Sequence, residues 1–185
     1  MRRAITVIVL GAGLGLVAAQ PASAEERTCR GALGAVTVDN LRVPDGATCT
    51  LKGTRVKGTV KIERGATLKA TGIRVVGNVQ AENAASVEVG GQSTVGGSVQ
   101  VAQGRAARIS DSTIGGSILF DENTRSVSAR GNRVTGDVQA FKNTGGVAIN
   151  VNTINGNLQC KENQPAPTGG GNVVQGNKED QCARL

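Results

Sequence analysis

The chain has 185 residues, 27 of them glycine, and its 21 Lys and Arg outweigh 14 Asp and Glu to give a formal charge of +7. It contains no His, Trp or Tyr and only two Phe. The missing histidine removes Ser-His-Asp and Cys-His triads and ordinary zinc sites, and the scarcity of aromatics leaves no stacking platform for single-stranded nucleic acid. Catalysis and nucleic-acid binding are therefore disfavoured, while a mild basic excess suits anionic polymers or plain solubility.

The chain opens like a secretory leader. Arg2 and Arg3 form a positive start, Ala4 to Ala19 an apolar run, and Ala22-Ser23-Ala24 an A-x-A cleavage signal, so residues 1–24 are expected to be removed. The alternative is an uncleaved membrane anchor, but a run of about sixteen residues broken by Pro21 is short for a span. Cys29 stands too far from the cleavage site for lipid attachment there. The mature chain, from Glu25, would then be extracellular, with its charge reduced to +5 by loss of the two leader arginines.

Residues 25–53 read as an N-terminal cap and first coil, and the Pro-Asp-Gly turn of "VPDGATCTL" at Val43 to Leu51 leads into the first full repeat. Residues 54–163 then repeat one phrase. Glycines stand at Gly58, Gly77, Gly97, Gly116, Gly136, Gly156 and Gly176, spaced 19 or 20 residues apart. Two residues before each is Val56, Val75, Val95, Ile114, Val134, Ile154 or Val174. Two residues after come Val60, Val79, Val99, Ile118, Val138 and Leu158, until Lys178 breaks the column. A second pair of columns runs through Val87, Ala107, Val127 and Val147, and through Val89, Ile109, Ala129 and Ile149. Apolar residues at every second position indicate strands, and helical spacing does not fit.

Short strands and tight corners repeating at this period predict an all-β, right-handed parallel β-helix, a single solenoid of about seven coils of 19–20 residues. A left-handed helix is the alternative, but its six-residue recurrence gives about eighteen residues per coil. One coil cannot cover its own apolar face, so each copy acts as the lid of the copy before it. Val134, Val138, Ile149, Ile154 and Leu158 are expected inside. Polar columns follow the same period: Thr54, Ile73, Ser93, Ser112, Asn132, Asn152 and Asn172 before the glycine, and Thr59, Asn78, Ser98, Ser117, Asp137, Asn157 and Asn177 after it. Ladders of Ser, Thr and Asn bonding from coil to coil explain them better than a row of ligand-binding amides.

The cysteines sit at the two ends, Cys29 and Cys49 twenty residues apart, Cys160 and Cys182 twenty-two apart. Of the three connectivities, Cys29–Cys49 and Cys160–Cys182 each span about one coil, within disulfide reach of stacked strands. A four-thiolate metal site would require the ends of a rod to meet, so no metal and no cofactor is expected. Residues 164–185 read as a polar C-terminal cap. Terminal coils expose strand edges, which allows weak end-to-end self-association.

The leader, the "VPDGATCTL" entry, the "V-x-G-[NDS]-V-Q" phrase and the "GGGNVVQGNKEDQC" ending together resemble small secreted parallel β-helix proteins of actinomycete type, over the whole mature chain. That resemblance implies the fold and an exported location, and transfers no catalytic residue. The chain is similar, more weakly, to the bactofilins, whose polymer-forming β-helix also repeats glycine and short aliphatics. Only end-to-end stacking carries over from them, because they lack a leader and paired cysteines.

Two functional readings follow. In the first, a non-catalytic structural or surface-associated solenoid binds anionic cell-wall or extracellular polysaccharide, with no nucleic acid and no membrane as partner. The column three residues before the glycines holds Arg55, Arg74, Thr94, Thr113, Arg133, Thr153 and Val173 and should face outward. Its arginines could grip carboxylate or phosphate through their planar forks; the bland alternative is ordinary solvated surface. An ice-binding reading of the threonines suffers from the interrupting arginines. In the second, the chain is a reduced carbohydrate-active lyase or hydrolase. Its only candidate carboxylates are Asp111, Asp121, Glu122 and Asp137, which need not converge.

Overall fold

The computed structural model describes residues 25–185, and the leader reading for residues 1–24 lies outside the described residues. Every described strand pairs in parallel, and the strands form three sheets of nine, eight and eight strands. Successive strands of the chain go to successive sheets, so each coil contributes one strand to each face of a triangular solenoid. We name the faces A, B and C in the order the chain visits them. One well-defined coil runs through Val79–Glu82 on face A, Ser86–Gly90 on face B and Thr94–Val95 on face C.

The coils number eight, one more than the glycine spacing implies. The coil without a repeat glycine comprises Glu26–Thr28, Gly31–Leu33 and Thr37–Val38, within the stretch read as cap and first coil. Its corner carries Asp39 and Asn40, and Asn40 Oδ1 lies where a Cβ on Gly58 would stand. The repeat phrase is therefore disguised there, although Val38 still pairs with Val56. At ~4.8 Å per coil the eight coils span about 38 Å. The residues after Gln164 continue the coil and add Thr168–Gly170, Val173–Val174 and Lys178–Asp180 to the three faces.

The bore is filled by buried aliphatic side chains. Val134, Val138, Ile149, Ile154 and Leu158 are all fully buried, as the alternation of the sequence requires. The one buried aromatic, Phe120, stands in register between Val101 and Ala140, and the small Ala140 offsets its bulk. Both expected disulfides form inside this bore. Cys29–Cys49 has a Cα separation of 5.6 Å and Cys160–Cys182 one of 5.2 Å, each tying one coil to the next at an end.

Polar side chains close all three corners. At the C-to-A corner, side-chain oxygens accept main-chain N–H groups of the following coil. The series runs without a gap from Thr59 N–H on Asn40 Oδ1 at 2.9 Å to Asn177 N–H on Asn157 Oδ1 at 2.8 Å. The repeat glycines sit against this ladder. A Cβ on Gly77 would stand 2.7 Å from the Gly58 carbonyl oxygen and 2.9 Å from Thr59 Oγ1. Glycine is required there by close approach between coils.

At the B-to-C corner the direction reverses. Asn132 N–H donates to Asn152 Oδ1 and Asn152 N–H to Asn172 Oδ1, both at 3.0 Å, and these asparagines are buried. Ile73, the apolar member of that column, is buried too. A third ladder, through Asn123, Asn143 and Asn163 at the A-to-B corner, is absent from the columns read in the sequence. Gln181 terminates it: its Oε1 accepts the Asn163 N–H at 2.9 Å, and its amide donates to the Asn163 carbonyl at 3.0 Å.

Asn143 shows how fully these groups are satisfied. Its Oδ1 accepts the main-chain and side-chain N–H of Asn123, both at 3.0 Å. Its amide donates to the Phe120 carbonyl at 3.0 Å and to Asn163 Oδ1 at 2.9 Å. Asn143→Ala strands partners in two neighbouring coils, and denaturant melting should show a loss of about 3 kcal/mol or more. An unchanged midpoint would contradict the ladder.

The B-to-C corner also holds the least comfortable residue of the backbone. Val151 has φ 57° and is 59% exposed, while Gly131 and Gly171 hold the equivalent place one coil away on either side. A β-branched residue is strained in the left-handed region. Val151→Gly should raise stability by about 1 kcal/mol, the strain relieved exceeding glycine's entropic cost. Thermal melting checks the sign.

Candidate polymer-binding face

The three arginines singled out by the sequence do share one outward column. On face C, Thr37 pairs with Arg55, Arg55 with Arg74, Arg74 with Thr94, Thr94 with Thr113, and Thr113 with Arg133. Arg55 and Arg74 are immediate neighbours, and Arg133 lies three coils beyond Arg74, about 14 Å at ~4.8 Å per coil. All three are exposed, and none forms an ion pair among the described residues.

The basic surface is wider than that stripe. Face B, reached around the corner, directs Lys52, Lys69, Arg108 and Arg130 outward from strands Thr48–Lys52, Thr67–Thr71, Ala106–Ser110 and Val127–Arg130. The strands of faces B and C together carry seven basic residues (these four with Arg55, Arg74 and Arg133) against a single acid, Glu88. The strands of face A are balanced. There Arg27, Arg42, Lys61, Lys161 and Lys178 meet Glu26, Glu82, Asp121, Glu179 and Asp180. Acid and base also pair closely on that side, as in Arg42 Nε to Glu26 at 2.9 Å. The mild net charge thus conceals two basic faces and one neutral face. The sequence period points to the face C column; the Lys69, Glu88 and Arg108 register on face B carries the corresponding signal there.

Face B is also grooved. A hollow of about 210 Å³ lies among Lys69, Thr71, Glu88, Gly90, Arg108 and Ser110. A second, of about 370 Å³, follows with Arg108, Ser110, Asp111, Ser128, Arg130 and Asn150 around Ala148. A third, of about 300 Å³, continues over the corner through Gln92, Asp111, Thr113, Gly131 and Arg133. Shared lining residues join the three into one shallow trough running along the solenoid and bending onto face C. A comparable hollow on face A, of about 340 Å³, is lined by Lys61, Gln80, Glu82, Gln100, Ala102 and Leu119 and gathers no excess charge.

The four candidate carboxylates occupy three different corners. Asp111 is at the B-to-C corner, with φ 48°. Asp121 and Glu122 lie where face A ends, and Glu122 pairs with Lys142 Nζ at 3.5 Å. Asp137 belongs to the C-to-A ladder, its Oδ1 accepting the Asn157 N–H at 2.7 Å. No two of these corners share a site, and no group of three or more metal-binding side chains occurs among the described residues. Burial, with the neighbouring Glu122 charge adding to it and Lys142 opposing it, holds the Asp121 carboxyl above its ordinary value of 3.8. Its protonated form therefore favours the fold, fully so below the unfolded pKa, and that contribution is lost as pH rises through the folded one. Asp121→Asn should melt above the parent at pH 7, and the gap should close as the pH falls below about 4. A gap that persisted at pH 3 would overturn this assignment.

Asp39, by contrast, titrates below its ordinary value because Lys57 donates a hydrogen bond to it and adds its charge, their separation being 2.9 Å. That pair removes Lys57 from the free cations of the basic surface.

Comparison of the chain with protein-family models, with curated proteins and with solved structures gives no match.

Proposed function

We propose that this chain is an exported, non-catalytic β-solenoid that binds an extended anionic polymer, a cell-wall or extracellular polysaccharide, along faces B and C. The seven-to-one excess of base over acid on those strands carries the reading. Each of the seven cations sits on a rigid rung, so the spacing between charges is set by the stacked backbone rather than by flexible loops. A polymer with regularly spaced anions meets such a surface at several points at once, and weak contacts add through effective concentration. Two disulfides fit an oxidising compartment. No helix of the described residues is long and apolar enough to cross a membrane. The separation of the carboxylates supports the absence of catalysis.

Replacing Arg55, Arg74 and Arg133 together with Ser should weaken binding to immobilised polygalacturonate by tenfold or more. Parent binding should fall steeply with added salt, since exposed charges are screened over about 8–10 Å near physiological ionic strength. The melting temperature should scarcely move, because exposed positions contribute little to stability. No reducing ends should be released from the polymer. Salt-insensitive binding, or no binding to any anionic polymer, would overturn the reading.

A further inference from the structure

The groove on face B carries more than positive charge. Arg108 stands in register with Ser128, and Ser110 with Arg130, so the two arginines lie diagonally across neighbouring coils. Arg133 follows Arg130 around the corner, separated from it by Gly131 and Asn132. Asp111 occupies the same corner one coil earlier, and its main-chain N–H donates to the Arg130 carbonyl at 2.9 Å. A Cβ on Gly131 would come within 2.6 Å of Asp111 Oδ1. Glycine at 131 therefore leaves room for the carboxylate to lie over the corner between Arg130 and Arg133. Neither this carboxylate nor the three arginines form an ion pair among the described residues.

Plain attraction for anions does not call for that carboxylate. An ionised carboxylate only accepts hydrogen bonds, so a ligand seated beside it must bring donors. Guanidinium groups only donate, and they suit planar carboxylates through paired bonds. Ser110, Ser128 and Asn150 line the same hollow and can do both, and Ala148 adds an apolar contact. The set matches a ligand unit with an acidic group, neighbouring hydroxyls and an apolar ring edge. We infer that the hollow lined by Arg108, Asp111 and Arg130, with Arg133 in the adjoining hollow that shares Asp111, is a subsite for one carboxylate-bearing sugar unit of an acidic polysaccharide. The arginines take the sugar carboxylate and Asp111 takes its hydroxyls. A polyphosphate chain, dense in charge and without hydroxyl donors, is disfavoured by Asp111.

This inference rests on the reading of faces B and C as a polymer-binding surface, and one variant separates the two. Asparagine tolerates the backbone at position 111, so Asp111→Asn should melt like the parent. Calorimetric titration of parent, Asp111→Asn and Arg130→Ser with polygalacturonate and with polyphosphate, at equal salt, is the test. The parent should prefer polygalacturonate. Asp111→Asn should bind polygalacturonate about tenfold more weakly, as expected for loss of a charge-assisted hydrogen bond, and polyphosphate more tightly. Arg130→Ser should weaken both. If Asp111→Asn strengthened both polymers alike, or the parent bound them equally, the subsite would fall while the polymer-binding reading stood. Failure of the parent to bind either polymer would remove both.

Discussion

Each coil of this protein leaves its main-chain N–H and C=O groups pointing along the solenoid axis, where only another coil can satisfy them. Buried polar groups without partners are costly, so the parallel register between coils is the constraint on which everything else depends. Strands meet this need along the flat faces. At the corners the strand ladder is interrupted, and side-chain oxygens of Asn, Ser, Thr and Asp take over. Two of the corner ladders run in one direction along the axis and the third in the other. A slip of one residue between coils would break all three at once.

The same constraint explains the composition. A bore closed by one strand per face is filled by the aliphatics valine, isoleucine, leucine and alanine, and its single buried aromatic stands against an alanine in the next coil. Glycine recurs where a coil's turn lies against the polar ladder of its neighbour. Terminal coils lack one neighbour, and there the chain uses disulfides and, at the C-terminal end, the Gln181 side chain in place of a further asparagine.

Register also turns a linear pattern of charge into a surface. Residues twenty apart become neighbours, so Lys69, Glu88 and Arg108 form one line across face B, and Arg55 and Arg74 stand side by side on face C. The outcome is a molecule neutral on one face and basic on two. Rigidity is what would make such a surface selective if it meets a polymer. Charges fixed to stacked strands reward a ligand whose own charges are regularly spaced, with little ordering cost left for the protein.

The recurring V-x-G-polar-V phrase determined the solenoid, its inward columns, the outward arginine column and the cysteine pairs, because in-register stacking maps sequence period directly onto space. Val134, Val138 and Leu158 could be placed inside from alternation alone. Counting glycines gave one coil too few because Asp39 and Asn40 stand where the glycine would be in the coil of residues 26–38, although residues 25–53 read as a cap and first coil. The Asn123, Asn143 and Asn163 ladder escaped because an asparagine at a corner reads equally well as a solvated turn residue; only the bend of the backbone shows that these point inward. Tertiary structure alone decided the division of charge between faces and the meeting of Arg108, Asp111 and Arg130 at one hollow, with Arg133 beside Asp111 in the next. Those residues come from two coils and two faces, and which of them share a corner depends on where the chain turns, a property of the stacked coils rather than of the spacing between letters.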